Sequence, residues 1–206
     1  MSVNGEYNYL KGWCKGTELN KATKALAFIY HHHCGQTRDD GSPYFAHPVK
    51  VAQHLATLFL FKEKNTLDVL LAGALLHDIL EDTDVTYDEI ENEFSAEIAI
   101  VVRLLTHPDS MSNEEYYQKI QTNLLASLIK IADRCHNVST MAGVFTKARL
   151  EKYVDETNTL VRPLIRFIRD NHPEVSSQVV CMSYHIKSVI NAIKIILPLM
   201  KDGTAA

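Results

Sequence analysis

The sequence predicts an all-α fold, a bundle of antiparallel helices. Two observations carry the prediction. Apolar residues recur at helical spacing in one segment after another, as in Ala22, Ala25, Leu26 and Ile29, and no alternating, strand-like pattern competes with them. Helix-start signals recur between the segments, with capping boxes at Thr86-Tyr87-Asp88-Glu89 and Ser112-Asn113-Glu114-Glu115. Helices joined by short loops pack as antiparallel neighbours. The 206 residues suffice for one domain with a sizeable core, and 46% apolar with 22% charged residues is an ordinary globular composition. There is no composition break, linker or repeat, so we expect an N-terminal arm over 1–16 and a single domain over 17–206.

Taken in order, the arm carries Gly5, Gly12 and Gly16 among Tyr7, Tyr9 and Trp13, and reads as loosely held. Thr17 can N-cap a helix from Glu18 to about His33, which Gly35 ends. A turn-rich loop follows to Phe45, through Asp39-Asp40-Gly41-Ser42-Pro43. His47-Pro48 opens a second helix to about Phe61, with proline in the first turn, where it lacks no bond. Thr66 is placed to cap the next. Short helices are expected from Thr86 to Phe94 and from Ser95 to about Thr106, and an apolar one from Leu124 to about Met141. Two long helices close the chain, roughly Thr146 to Asp170 and Glu174 to Met200.

Charge and composition exclude several function classes. A net charge of −4 advertises no nucleic-acid polymer as partner. Met1 to Gly16 lacks the apolar stretch of a signal peptide, and no unbroken apolar run approaches the roughly 20 residues of a membrane span. Cys14, Cys34, Cys135 and Cys181 have no CxxC spacing and read as reduced thiols of a cytoplasmic protein. Cys34 and Cys135 are taken as small buried hydrophobes.

The chemistry concentrates where the most apolar segment ends. The apolar run that begins at Leu67 and takes in Val69, Leu70, Leu71, Ala72, Ala74, Leu75 and Leu76 covers all sides of a helix and so predicts a buried one. It runs straight into His77-Asp78-Ile79-Leu80-Glu81-Asp82-Thr83. Ionisable groups at the end of a buried helix are costly unless they are paired or bind a metal. His77 and Asp78 diverge by about 100° on a helix, so one ion can take a ligand from each. Glu81 and Asp82 are their i+4 partners, one turn further on.

Other apolar segments also present polar residues at their ends, His47 and Asp133 among them. Two histidines and two aspartates make a nitrogen–oxygen set that suits a divalent ion such as Mn²⁺, Fe²⁺ or Zn²⁺ better than Ca²⁺. Such an ion with an open position lowers the pKa of bound water and polarises a phosphoryl oxygen. Glu81 and Asp82 can then orient or deprotonate the water.

These residues resemble a known family. A His-Asp pair with an upstream His and a downstream Asp is similar to the HD metal-dependent phosphohydrolases, which implies an HD-domain helical bundle. Four segments in order resemble, more closely, the hydrolase domain of RelA/SpoT-type alarmone enzymes: Gly35 to Arg38, Gly41 to Pro48, His77 to Thr83 and Lys130 to Asn137. Glu156-Thr157 followed by Arg162-Pro163-Leu164 resembles a later helix of that domain.

The resemblance implies His47, His77, Asp78 and Asp133 as metal ligands, usually of Mn²⁺, and Glu81 and Asp82 as the catalytic acids. It implies that Arg38 packs on a guanine base and that Asn137 and Thr140 contact the nucleotide. The implied reaction removes the 3′-diphosphate of guanosine tetra- or pentaphosphate, leaving GDP or GTP and pyrophosphate. The substrate is then a small nucleotide, with no polymer and no membrane as partner.

One position departs from the family. Asp39 stands where members often carry a second basic residue, and Asp40 follows it. Two acids beside a polyanion repel it if they face it. Two alternatives follow for the function: another phosphate ester, such as the 2′-phosphate of NADPH, or a nucleotide-binding sensor without chemistry. Several residues also have plainer readings. Arg38 can pair with Asp39 or Asp40, Asn137 and Thr140 can cap their helix, Arg134 can form a structural ion pair, and Lys130 can reach a phosphate or only solvent. His33 can support the site from behind or simply pack at a helix end, and no function is expected of His107 or His172.

Overall fold

Ten consecutive residues, Leu67 to Leu76, are buried. A helix with no solvated side needs neighbours all round it, and the protein is built to supply them. The computed structural model describes residues 2–59 and 63–201. No strand occurs among them; an isolated bridge pairs Thr37 with Pro43 across the loop. The all-α prediction is met. The chain divides into two compact units, residues 1–111 and 112–206.

The first unit holds α1 (Val3–Gly16), α2 (Asn20–His32), α3 (Ala46–Leu58), α4 (Lys64–Leu76), the single turn α5 (Ile79–Asp82), α6 (Tyr87–Glu93) and α7 (Ala96–Leu105). Helix α4 is the axis, and α2, α3 and α7 pack on it. Each buried leucine, isoleucine or valine contributes about 1.5–3 kcal/mol. That gain offsets the cost of the polar groups buried beside the axis, His33, His47, Asp68 and His77.

Three local expectations are corrected here. The N-terminal arm is a helix: Ser2 caps it at Gly5 N, Leu10 and Cys14 are buried, and Tyr7 packs against Tyr30 and Phe45. Thr17 therefore ends α1 instead of starting α2. The cap of α2 comes from elsewhere. The buried Asp68 on α4 accepts from Lys21 N at 3.0 Å and Ala22 N at 2.8 Å, because Leu19 at the N-cap has no acceptor to offer. Thr66 likewise lies inside α4, which begins at Lys64. The expected end of α3 at Phe61 lies outside the described residues.

The second unit holds α8 (Asn113–Gln121), α9 (Leu124–Thr140), α10 (Lys147–Glu156), a π-helical turn (Thr157–Val161), α11 (Arg162–Asn171) and α12 (Ser176–Ile196). Helix α9 is its axis, with α8, α11 and α12 against it. The predicted long helix is continuous through α10 and α11, but its register slips at the π turn, where Arg162 N donates to Thr157 O. Pro163, which has no N–H to give, sits just past the slip. Both predicted capping boxes form, at Thr86 with Glu89 and at Ser112 with Glu115.

By length and composition, the 27-residue helical stretch Pro173–Leu199 could cross a membrane, with a mean hydropathy of 1.3. The sequence read for unbroken apolar runs does not signal it, because Lys187 and Lys194 interrupt the stretch. Helix α12 packs on α9 and α11. Of the two cysteines expected to be buried, Cys135 is, whereas Cys34 is exposed in the turn after α2.

Candidate metal centre

The site is made by a break in the helix. Helix α4 stops at Leu76, and Asp78 takes φ −99° and ψ −2°, a sparsely used conformation common in active-site residues. The chain then re-enters one helical turn, with Glu81 N and Asp82 N bonded back to Asp78 O. The break leaves His77, the buried C-cap of α4, and Asp78 at the end of the apolar stack. His47 arrives from the first turn of α3, its N–H bonded to Tyr44 O.

His77 Nε2 lies 3.2 Å from His47 Nε2 and 3.1 Å from Asp78 Oδ2, and His47 Nε2 lies 3.5 Å from the same oxygen. His47 and His77 are buried, and Asp78 is half-buried. His77 Nδ1 donates to Ala74 O at 2.8 Å, since a carbonyl can only accept. In the neutral ring that bond leaves Nε2 as a bare lone pair, facing a carboxylate oxygen and a second imidazole nitrogen. Only a proton or a cation between them makes that arrangement favourable. Donor atoms bound at about 2.1–2.2 Å stand about 3.0–3.1 Å apart at right angles and about 3.4–3.6 Å apart at tetrahedral angles. The observed edges, 3.1, 3.2 and 3.5 Å, run from the right-angle to the tetrahedral spacing, so the three residues fit a divalent metal ion.

The ligands are held from behind. Tyr44 Oη donates to Asp78 Oδ2 at 2.8 Å and is within hydrogen-bond reach of the Asp82 carboxylate. Burial first, and then these carboxylates, push the Tyr44 pKa far above its ordinary value, so the phenol stays protonated. Its ring stacks on buried His33 at 4.7 Å. His33, the C-cap of α2, is thus packed behind Tyr44, which is compatible with both of its sequence readings. Gln36 bonds His33 Nδ1 at 2.7 Å and donates to Asp82 O at 2.8 Å.

Glu81 is tethered differently: the backbone N–H of His107, just beyond α7, donates to its Oε1. Glu81 and Asp82 line a cavity of about 500 Å³ with His32, Gln36, Thr83, Asp84, Val85 and Glu89. Its lining is acidic, which suits cations or a cation-bound polyanion better than a free anion.

Arg38 lies on the loop between α2 and α3, half-buried, with its backbone N–H on Ser42 O. Asp40 turns inward to that loop, accepting from Ser42 N and Oγ, and its pKa falls through these bonds and, less, through the charge of Arg38. Asp39 is exposed.

In the second unit, Asp133 is buried on α9. Its oxygens receive Asn137 Nδ2 at 2.6 Å and face Lys130 Nζ at 3.4 Å. Asn137 thus orients Asp133, a role that the sequence did not suggest. Thr140 Oγ1 bonds back to His136 O and Asn137 O of its own helix, its plainer reading. Arg134 is structural, as expected: buried, 3.9 Å from the Tyr153 ring centroid and 3.8 Å from Glu156.

The sequence reading missed Tyr44, Gln36 and the His107 amide. For Tyr44 a signal existed, since it stands three residues before His47 in a segment already singled out.

The model of the HD domain matches residues 25–166. A guanosine-3′,5′-bis(diphosphate) 3′-pyrophosphohydrolase of Aquifex aeolicus is 35% identical over 152 residues, covering 68% of this chain and 20% of the relative. The bifunctional (p)ppGpp synthase/hydrolase SpoT of Escherichia coli is 33% identical over 166 residues, covering 75% and 23%. The chain therefore spans about a fifth of the length of these relatives. A solved structure, described as a metazoan ortholog of SpoT that hydrolyses ppGpp, superposes with a TM-score of 0.63 at 21% identity, over 84% of this chain and 95% of that one. With its metal-type triad at the break after α4 and the HD-domain match over most of its length, the chain belongs to the HD-domain family.

Proposed function

We propose that the chain is a Mn²⁺-dependent hydrolase that removes the 3′-diphosphate of guanosine tetra- or pentaphosphate, giving GDP or GTP and pyrophosphate. The observation that carries the proposal is the His47–His77–Asp78 cluster with two further carboxylates, Glu81 and Asp82, on the very next turn. A structural ion does not need that extra pair. The names of the Aquifex and Escherichia relatives support the choice of substrate.

His47, His77 and Asp78 hold the ion in this reading, with Asp133 as fourth ligand on the strength of its motif. When bound, the ion supplies a positive charge that polarises the phosphoryl group. The protein residues do the rest. Glu81 or Asp82 takes the proton of the attacking water as the new phosphorus–oxygen bond forms, and that carboxyl returns the proton to the 3′ oxygen as the bond between it and phosphorus breaks and pyrophosphate leaves. Arg38 packs on the base, and Asn137 and Thr140 contact the nucleotide. The work is that of one HD-type domain over 17–206, and a small nucleotide substrate supports a cytoplasmic location.

A second reading rests on Asp39. An exposed acid beside Arg38 favours a substrate with less charge near the base. Hydrolysis of the 2′-phosphate of NADPH is then the activity to compare.

Metal content tests the carrying observation. Purified protein should hold about one divalent ion per chain, as a mononuclear site requires. Asp78→Ala should lose most of it, together with Mn²⁺-dependent turnover. Metal undiminished in that variant, by elemental analysis, sinks the assignment.

A further inference from the structure

We propose that Tyr44 is a positioning residue whose single phenolic hydrogen bridges Asp78 and Asp82, holding a metal ligand and a catalytic acid in one fixed arrangement. The inference rests on the metal-dependent reading above and deepens it.

The phenol has little freedom. Its ring lies flat on His33 at 4.7 Å and 28°, and edge-on to His47 at 6.3 Å and 77°. Its backbone N–H is bonded to Gln36 O at 2.9 Å, and Thr37 pairs with Pro43 to close the loop just before it. The loop is in turn pinned to the catalytic turn, because Gln36 Nε2 donates to Asp82 O. Loop and turn are therefore tied twice, once at the backbone of Asp82 and once through the phenol.

The electrostatics explain why a donor is placed there. Asp78 and Asp82 are four residues apart across one turn, where like charges repel. Asp78 Oδ2 already faces His77 and His47, so its orientation sets the metal triangle. Asp82 is exposed and can otherwise swing into solvent. The phenolic O–H is a donor in this place, and carboxylates have no hydrogen to give back. It relieves their repulsion and restricts both at once. Partners of this kind typically change metal affinity or activity by about 10–100-fold when removed.

The test is Tyr44→Phe, which keeps the ring on His33 and removes only the oxygen. Circular dichroism of the metal-free variant should match wild type. Its Kd for Mn²⁺, by titration calorimetry, should weaken by about 10-fold or more, and kcat should fall by about 10–100-fold with KM little changed. The double variant Tyr44→Phe/Asp82→Asn should lose barely more kcat than the worse single variant, because both act through one unit. Additive losses, or native Mn²⁺ affinity and native kcat in the Phe variant, overturn the inference. Should the Phe variant lose its helical signal, the phenol can be read directly. The Tyr44 13Cζ resonance of labelled protein should shift on Asp82→Asn, and an unmoved resonance overturns the bridge. Wild-type protein that binds no Mn²⁺ removes the metal reading itself, and this inference with it. Native metal binding with unaltered behaviour of the Phe variant removes the inference alone.

Discussion

Removing the carboxylate of Asp68 should unfold the first unit more easily than any surface change nearby. Asp68 accepts from Lys21 N at 3.0 Å and Ala22 N at 2.8 Å, at a helix start whose own N-cap residue, Leu19, offers no acceptor. Ala22 is buried, so in Asp68→Ala its amide is left without a partner, at about 1–3 kcal/mol. Lys21 is half-buried, so water replaces part of its bond, and the loss there is about 0.5–1 kcal/mol. Removing a negative charge from a helix N-terminus adds about 0.3–1 kcal/mol. The sum is about 2–5 kcal/mol, a large share of a typical stability. Asp68→Asn keeps one acceptor but turns an NH₂ toward the other amide, so it should lose at least half as much. Asn65→Ala is the control: it removes an exposed bond to Lys21 Nζ and should stay within about 0.5 kcal/mol of wild type. Urea unfolding followed by circular dichroism measures all three. Asp68→Ala within 0.5 kcal/mol of the Asn65→Ala control would show that α2 is capped by something else.

Two further predictions concern the acids and the second unit. Glu81→Gln and Asp82→Asn keep shape and remove charge, so both should retain metal and fold while at least one loses about 10²–10⁴ in kcat, with KM unchanged or lower; steady-state kinetics with metal analysis decides, and loss of metal in either refutes the acid–base role. Arg134→Met should destabilise the second unit by about 1–3 kcal/mol, because it loses the stack on Tyr153 and the contact to Glu156; denaturation of the variant at wild-type stability would make Arg134 a functional residue in place of a structural one.

Much of the first-unit site was legible because its residues lie in short segments. His77 and Asp78 follow an apolar run that has to be buried, and their neighbours Glu81 and Asp82 are one turn away. His47 was legible through its proline-marked helix start. What escaped depends on distant pairings. Asp68 caps a helix more than forty residues earlier, and the amide of His107 reaches Glu81 from the far end of α7. Neither contact leaves a local pattern. Helix α1 escaped for another reason: its three glycines and polar residues argue for a loose arm, while burial of only Leu10 and Cys14, with a serine cap, suffices to fix it. The slip at Thr157–Val161 is hidden because apolar spacing on either side of a π turn still reads as helix.

The central claim is tested most directly by the products formed from guanosine tetraphosphate with Mn²⁺, followed by 31P NMR beside a parallel reaction on NADPH. The account predicts pyrophosphate and GDP in equal amounts, dependent on metal and absent in Asp78→Ala. Orthophosphate from NADPH with the tetraphosphate intact would contradict it, and so would nucleotide that binds but is never turned over.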